Sequence, residues 1–248
     1  MSGMEVARPI PMEGMHNLRD LGGYPTADGG RTRRGVFLRG DGTADLTAGD
    51  LERLRALGVA LTLDLRSPME TERQPSRLRG LPWVRFEAVP MLDDVNSNSG
   101  GGRFPDSMAE LYIASLDAAR PAFGRVFRLL AGQSEGACLF HCTAGKDRTG
   151  MVAMLLLGLA GVPDEVIVAD YAATENYMAE VSAGIRARMT ALGVQVPDYT
   201  LRADPESMRA TLAHLREKFG DAASYLRLCG VPEEELERLR ARLSAPKE

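Results

Sequence analysis

Between Phe140 and Gly150 the chain reads Phe-His-Cys-Thr-Ala-Gly-Lys-Asp-Arg-Thr-Gly. A thiol, Cys142, and a guanidinium, Arg148, are brought within one turn's length of each other, with Lys146, Asp147 and Thr149 alongside. An apolar run precedes this stretch (Ala137 to Phe140) and another follows it (Met151 to Ala160). That pattern predicts a buried strand, a turn at Cys142 and a buried helix opened by Arg148. Successive backbone N–H groups in such a turn face inward and form a nest for an anion. The helix N-terminus adds unpaired donors and the positive end of its dipole. Arg148 can close the ring with a bidentate fork onto two phosphate oxygens. Cys142, held in that field, is expected to ionise readily, and its thiolate would lie beneath a bound phosphoryl group as a nucleophile.

In a chain of this composition the pattern Cys-x5-Arg-[Ser/Thr] is expected by chance only about 0.03 times, and the strand–turn–helix setting lowers that further. The bland reading, a glycine-containing turn with an incidental cysteine, is correspondingly weak. The segment resembles the phosphate-binding loop of the cysteine-based protein tyrosine phosphatase superfamily. The full string His-Cys-Thr-Ala-Gly-Lys-Asp-Arg-Thr-Gly is similar to one bacterial and fungal branch with mycobacterial and listerial members, some of which also accept phosphoinositides. The likeness extends to His16-Asn17-Leu18-Arg19-Asp20-Leu21-Gly22-Gly23-Tyr24 and to the C-terminal helices, so it spans roughly residues 16 to 243. Read without the likeness, residues 16–24 are as well explained by a hairpin approach with exposed charges.

The resemblance implies a reaction in two steps. The Cys142 thiolate attacks phosphorus and forms a phosphocysteine; water then hydrolyses it. The backbone of Thr143, Ala144, Gly145, Lys146 and Asp147, with Arg148, would hold the equatorial oxygens, where charge sits throughout. Thr149 would donate a hydrogen bond to the Cys142 sulfur, and His141 would brace the loop. No metal or cofactor is required. Phosphotyrosine proteins are the expected substrates, with phosphoinositides or inositol phosphates as the alternative. Lysine is scarce, three of the 30 basic residues, so Lys146 inside the loop suggests a substrate with more than one phosphate; a solvated lysine explains it about as well.

The leaving group needs a proton. Asp147 is favoured as the acid. Asp106 competes because Phe104-Pro105-Asp106 resembles the Trp-Pro-Asp acid loop of ordinary tyrosine phosphatases, although a helix cap explains Asp106 equally well. Asp93 and Asp94 compete from a loop that could close over the site.

Composition bounds the rest. The chain has 248 residues, 44% hydrophobic and 26% charged, with a net charge of −4. These values suit a globular protein and give no bulk attraction to nucleic acid or an anionic membrane. The longest apolar run, 151–162, is too short to span a bilayer. Three cysteines at no disulfide or zinc spacing suit a reducing compartment. With no leader pattern at the start, a cytoplasmic location is expected. A Walker A loop is excluded, since no glycine lies five residues before Gly145 and Asp147 follows Lys146. A sulfurtransferase or low-molecular-weight phosphatase would use a loop of different length or position. An inactive phosphate-binding module would lack the thiol or the arginine.

The elements needed to position this loop follow from pattern. Strands are expected at 35–39, 59–66, 83–91 and 137–140. Val59, Leu61, Leu63 and Leu65 should share one face of the second, against Ala60, Thr62, Asp64 and Arg66. Thr47 with Asp50, and Ser67 with Glu70, are capping boxes that start helices. Further helices are expected at 107–119, 121–131, 151–160, 163–178, 206–219, 221–229 and 233–243. Tyr171 reads as core. Residues 1–15 read as an irregular arm and 93–105 as a mobile loop. The expected architecture is one α/β domain over 1–248: a largely parallel central sheet flanked by helices, with extra C-terminal helices.

Overall fold

A five-stranded sheet carries the molecule, in the order β1-β2-β5-β3-β4. The strands are β1 (Arg19–Asp20), β2 (Phe37–Gly40), β3 (Val59–Asp64), β4 (Arg85–Ala88) and β5 (Ala137–His141). Only β1 runs antiparallel to its neighbour; β2, β5, β3 and β4 are parallel. The computed structural model describes residues 8–91, 106–195 and 197–245. Part of the expected arm and the whole 93–105 loop, with Asp93 and Asp94, lie outside them. Residues 8–15 run without helix or strand, and Met15 is buried.

The helices are α1 (Ala48–Ala56), α2 (Pro68–Arg73), α3 (Met108–Ala118), α4 (Arg120–Gly132), α5 (Asp147–Leu159), α6 (Asp164–Ala172), α7 (Thr174–Tyr177), α8 (Ala179–Ala191), α9 (Asp198–Leu201), α10 (Pro205–Phe219), α11 (Ala222–Leu228) and α12 (Glu233–Leu243). Both capping boxes form. Thr47 Oγ1 accepts from Asp50 N while Asp50 accepts from Thr47 N, and Ser67 with Glu70 does the same. Each such cap stabilises its helix by about 1 kcal/mol. The long helix expected at 163–178 instead breaks near Ala173 into α6 and α7.

The sheet divides two cores of unequal size. One face packs against α3, α4, α5, α6, α10, α11 and α12 through residues such as Leu61, Leu63, Phe140, Tyr112, Met151, Leu155 and Leu239. The other face, with Leu38, Leu139 and Val59, is covered by α1 and the 78–86 segment. The alternation expected in β3 therefore fails at one residue. A register shift between Val59 and Leu61 turns Val59 to the opposite face from Leu61 and Leu63. The polar side of that strand is not solvated either: Thr62, Asp64 and Arg66 are all buried. Parallel strands covered on both faces leave no wet side. Among the described residues no helix is long and apolar enough to cross a membrane.

Candidate active site

The chain leaves the sheet where β5 ends at His141. Cys142, only 1% exposed, is the first residue beyond the strand. Residues 142–146 make the turn, and α5 starts at Asp147, four residues before the apolar run that predicted it. So Arg148 lies in the first turn of a helix. Carboxyl ends of parallel strands and the helix N-termini that follow them are where such sheets bind ligands. Gly145 is required in the turn. Its φ is +66°, and an added Cβ would lie 2.6 Å from Gly40 O and 2.8 Å from Asn17 Nδ2.

Arg148 is aimed by Glu70. The carboxylate meets Nη1 at 2.6 Å and Nη2 at 2.8 Å. It also accepts from Thr143 Oγ1 and, at 2.8 Å, from Ser67 N. Burial works against the charge of both partners, but their mutual hydrogen bonds and attraction prevail. The Glu70 carboxyl lies far below the usual range and the Arg148 guanidinium above its own. A guanidinium has five N–H donors. Glu70 takes one from each Nη and the second Nη1–H points at Leu65 O, 3.5 Å away, which leaves the Nε–H and the second Nη2–H. That side-on fork makes no hydrogen bond among the described residues.

Beneath the loop lies a buried polar assembly. Asn17 Nδ2 donates to Ala144 O at 2.9 Å and Arg39 Nη2 donates to Gly145 O at 2.8 Å. Asn17 Oδ1 accepts from Arg19 Nη1. Arg19 Nε donates to Asp170 Oδ1 at 2.8 Å, Tyr24 donates to the same oxygen at 2.9 Å, and Arg39 Nη1 donates to Oδ2. Asn17, Arg19, Arg39 and Asp170 are each at most 1% exposed. Burial pushes the Asp170 carboxyl up, but the two guanidinium groups outweigh it and hold the group at about 2.

Lys146 and Asp147 face the C-terminal helices. Lys146 is 3% exposed. Its Nζ donates to Thr200 O at 2.6 Å and Arg202 O at 3.0 Å, and lies 3.4 Å from Asp147 Oδ1. It is neither solvated nor an unengaged second cation. Asp147 Oδ1 accepts from Tyr112 Oη, which contacts Tyr171 Oη at 2.8 Å. Burial and the Asp147 charge raise the Tyr112 hydroxyl, so it remains a donor. Asp147 Oδ2 makes no hydrogen bond among the described residues.

Among the described residues, the bond expected from Thr149 to the Cys142 sulfur is absent: Thr149 Oγ1 is buried without a hydrogen-bond partner. His141 is fully buried, and among the described residues neither ring nitrogen meets a partner in hydrogen-bonding geometry. Its Nε2 is 4.0 Å from Asp64 Oδ2, a carboxylate already paired with Arg66 at 2.7 and 2.9 Å. Burial, against the attraction of Asp64, lowers the His141 imidazole to about 4. Asp106 does not cap its helix. Ser107 does, accepting from Glu110 N at 3.1 Å, while Asp106 N donates to Glu110 Oε2 at 3.0 Å.

Sequence reasoning missed Glu70, which it read only as a cap, and left Asn17, Arg19, Arg39 and Asp170 without a role. One signal was available. Arg39 ends the apolar run Val36-Phe37-Leu38, and an arginine on a strand that such a run buries needs partners.

A model of the tyrosine phosphatase family matches residues 10–245. A tyrosine-protein phosphatase of Nostoc commune is 36% identical over 219 residues, covering 84% of this chain and 74% of that one. The triple specificity protein phosphatase PtpB of Mycobacterium tuberculosis is 29% identical over 276 residues, covering 94% of this chain and 97% of its own. Among solved structures, TpbA of P. aeruginosa gives a looser likeness, with a TM-score of 0.42 and 17% identity over 86% of this chain and 99% of that one. A thiol at the end of a central parallel strand, an aimed arginine in the next helical turn and a match over nearly the whole length converge: the chain belongs to the tyrosine phosphatase family.

Proposed function

We propose that this chain hydrolyses phosphate monoesters through a phosphocysteine, with phosphotyrosine in proteins as its main substrate. The observation that carries this reading is the pairing of a buried Cys142 with an Arg148 whose outer fork is set by Glu70. Cys142 Sγ attacks phosphorus as the bond to the leaving phenol oxygen breaks. That oxygen takes a proton from Asp147, whose Oδ2 is the oxygen not engaged by Tyr112. Water, deprotonated by the same carboxylate, then attacks phosphorus, and the thiolate departs with free phosphate as product. The side-on fork of Arg148 and the loop N–H groups of 143–148 hold the equatorial oxygens in both steps. The reading takes the whole chain as one phosphatase domain acting in the cytoplasm.

Substrate breadth is the second question. PtpB carries the name triple specificity, which favours testing other phosphoesters. Lys146 argues the other way. A cation already bonded to two carbonyls and a carboxylate would have to break those contacts to serve an additional phosphate. Phosphotyrosine is therefore favoured over phosphoinositides.

The test is phosphate release from a phosphotyrosine peptide, a phosphoserine peptide and a phosphoinositide panel, with wild type and Cys142→Ser. Phosphotyrosine turnover that disappears in Cys142→Ser is the expected result. No turnover of any of these by the wild type sinks the proposal, and faster turnover of phosphoinositides would replace phosphotyrosine as the main substrate.

A further inference from the structure

Three successive carbonyls of the loop are tethered from one side. Thr143 O accepts from Gly42 N at 3.0 Å, Ala144 O from Asn17 Nδ2 at 2.9 Å and Gly145 O from Arg39 Nη2 at 2.8 Å. All three donors come from one region: Asn17 just before β1, Arg39 on β2 and Gly42 in the turn after β2. Among the described residues none of the peptide bonds is cis. In a trans peptide the C=O and the next residue's N–H point in opposite directions. Tying back those three carbonyls therefore turns the N–H groups of Ala144, Gly145 and Lys146 the other way.

The two side-chain tethers hold the two peptide planes that flank Gly145. Those planes most need holding, because glycine rotates between conformations at little steric cost. A flip of either would present a carbonyl oxygen where an N–H is wanted. The tethers are themselves fixed. The Asn17 amide cannot exchange its oxygen and nitrogen, because Oδ1 accepts from Arg19 Nη1, which can only donate. Asp170 then holds Arg19 with one carboxylate oxygen and Arg39 with the other. Arg39 Nε is left buried without a hydrogen-bond partner among the described residues. This guanidinium is thus oriented for two contacts, Asp170 and Gly145 O, rather than for its own full satisfaction.

We propose that Asn17 and Arg39, locked by Arg19 and Asp170, are positioning residues that aim the Ala144, Gly145 and Lys146 N–H groups at the phosphoryl oxygens. This rests on the phosphatase reading above and deepens it. Neither side chain touches the reacting atoms; both act through the loop backbone.

The experiment has a direct arm and a mutational arm. In Cys142→Ser protein, inorganic phosphate is titrated while the backbone amides are followed by 15N–1H NMR. The Ala144, Gly145 and Lys146 N–H signals should move downfield together; if they stay still while phosphate binds, the proposal is overturned without any variant having to fold. In the mutational arm, Asn17→Ala and Arg39→Met should each weaken phosphate binding and lower kcat for 4-nitrophenyl phosphate by roughly tenfold, the worth of one hydrogen bond to a charged group. Arg39→Lys should recover part of both. Tyr225→Phe, which removes a buried hydrogen bond to Leu116 O remote from the loop, should lower thermal stability but not phosphate affinity. Folded Asn17→Ala and Arg39→Met proteins that bind phosphate like wild type would overturn the proposal, as would an equal affinity loss in Tyr225→Phe. Amide shifts without turnover by the wild type would support the loop assignment while removing the phosphatase reading. Turnover without the shifts would do the reverse.

Discussion

The Glu70 carboxylate holds both Nη atoms of Arg148 while accepting the Ser67 backbone N–H at the start of α2. One side chain thus ties the helix after β3 to the helix after β5, across the carboxyl ends of two neighbouring strands. Glu70→Gln keeps the shape and the helix cap, but it replaces one acceptor oxygen with an NH2 facing a guanidinium. We expect kcat/KM for 4-nitrophenyl phosphate to fall by about tenfold to a hundredfold, since a small misplacement of a positioning group costs that much. Steady-state kinetics with a melting curve as control decides it. An unchanged kcat/KM would show that Arg148 keeps its aim without Glu70.

Gly145→Ala should be far more severe than an ordinary surface glycine change. The added Cβ would collide with Gly40 O, a backbone atom that cannot swing aside, and with the Asn17 tether, at a positive φ that L-residues disfavour. Phosphate binding measured calorimetrically should drop below detection, while circular dichroism still reports the helices. Gly161→Ala is the comparison. Its φ is also positive, at +75°, but nothing lies within 4 Å of the added atom, so it should lose only stability, by about 1 kcal/mol.

The contrast between these residues also explains what the sequence could reveal. The strand, turn and helix around Cys142 were legible because periodicity and contiguity encode them. Cys142 and Arg148 share one local motif, and local motifs survive without knowledge of the fold. Both capping boxes were legible for the same reason. Glu70, Asn17, Arg39 and Asp170 were not, since each reaches the loop from 73 to 127 positions away or through a helix on its far side. A buried polar residue has the same letter as an exposed one, and only the topology that brings β1, β2 and α6 to one end of the sheet separates them. The register shift at Val59 was invisible because strict alternation was the better local explanation. The burial of Lys146 was illegible for a different reason: both of its carbonyl acceptors lie on a segment, 200–202, to which the pattern assigned no element of its own.

Lys146→Met should therefore affect the C-terminal helices more than the chemistry. The lysine ties the loop to Thr200 and Arg202 through two backbone acceptors. Removing it deprives those carbonyls of charged donors and should raise amide hydrogen exchange across 198–203 by about tenfold. Turnover of a phosphotyrosine peptide should change by less than about threefold, because the proposed function assigns the substrate phosphate to Arg148 and backbone amides, not to the Lys146 side chain. Unchanged exchange in 198–203 would mean the latch is not what orders that segment, and a selective loss of phosphoinositide turnover would restore Lys146 as a substrate contact.

His141 sets a pH dependence that can be isolated from the carboxylates around it. Burial, only partly offset by Asp64, holds the folded imidazole at about 4, and the charges of Arg66 and Arg148 push in the same direction. In the unfolded chain the same ring titrates near its ordinary value of about 6.5. Between those values the unfolded state binds the extra proton. The stabilisation from keeping His141 neutral is therefore fully present above about pH 6.5 and is lost as pH falls toward 4. Integrated over that window it amounts to roughly 3 kcal/mol. Asp170 titrates near 2 and Glu70 lower still, while burial raises Asp20 and Asp41, so several groups tilt the absolute curve. Comparing wild type with His141→Gln at each pH cancels them. Urea unfolding at pH 4.5, 5.5, 6.5 and 7.5 should show a wild-type stability that rises more steeply with pH than the variant's, the gap between the two curves' slopes closing above pH 6.5. Parallel curves would mean that His141 takes up its proton inside the fold, and that Asp64, 4.0 Å away, compensates for the burial that surrounds it.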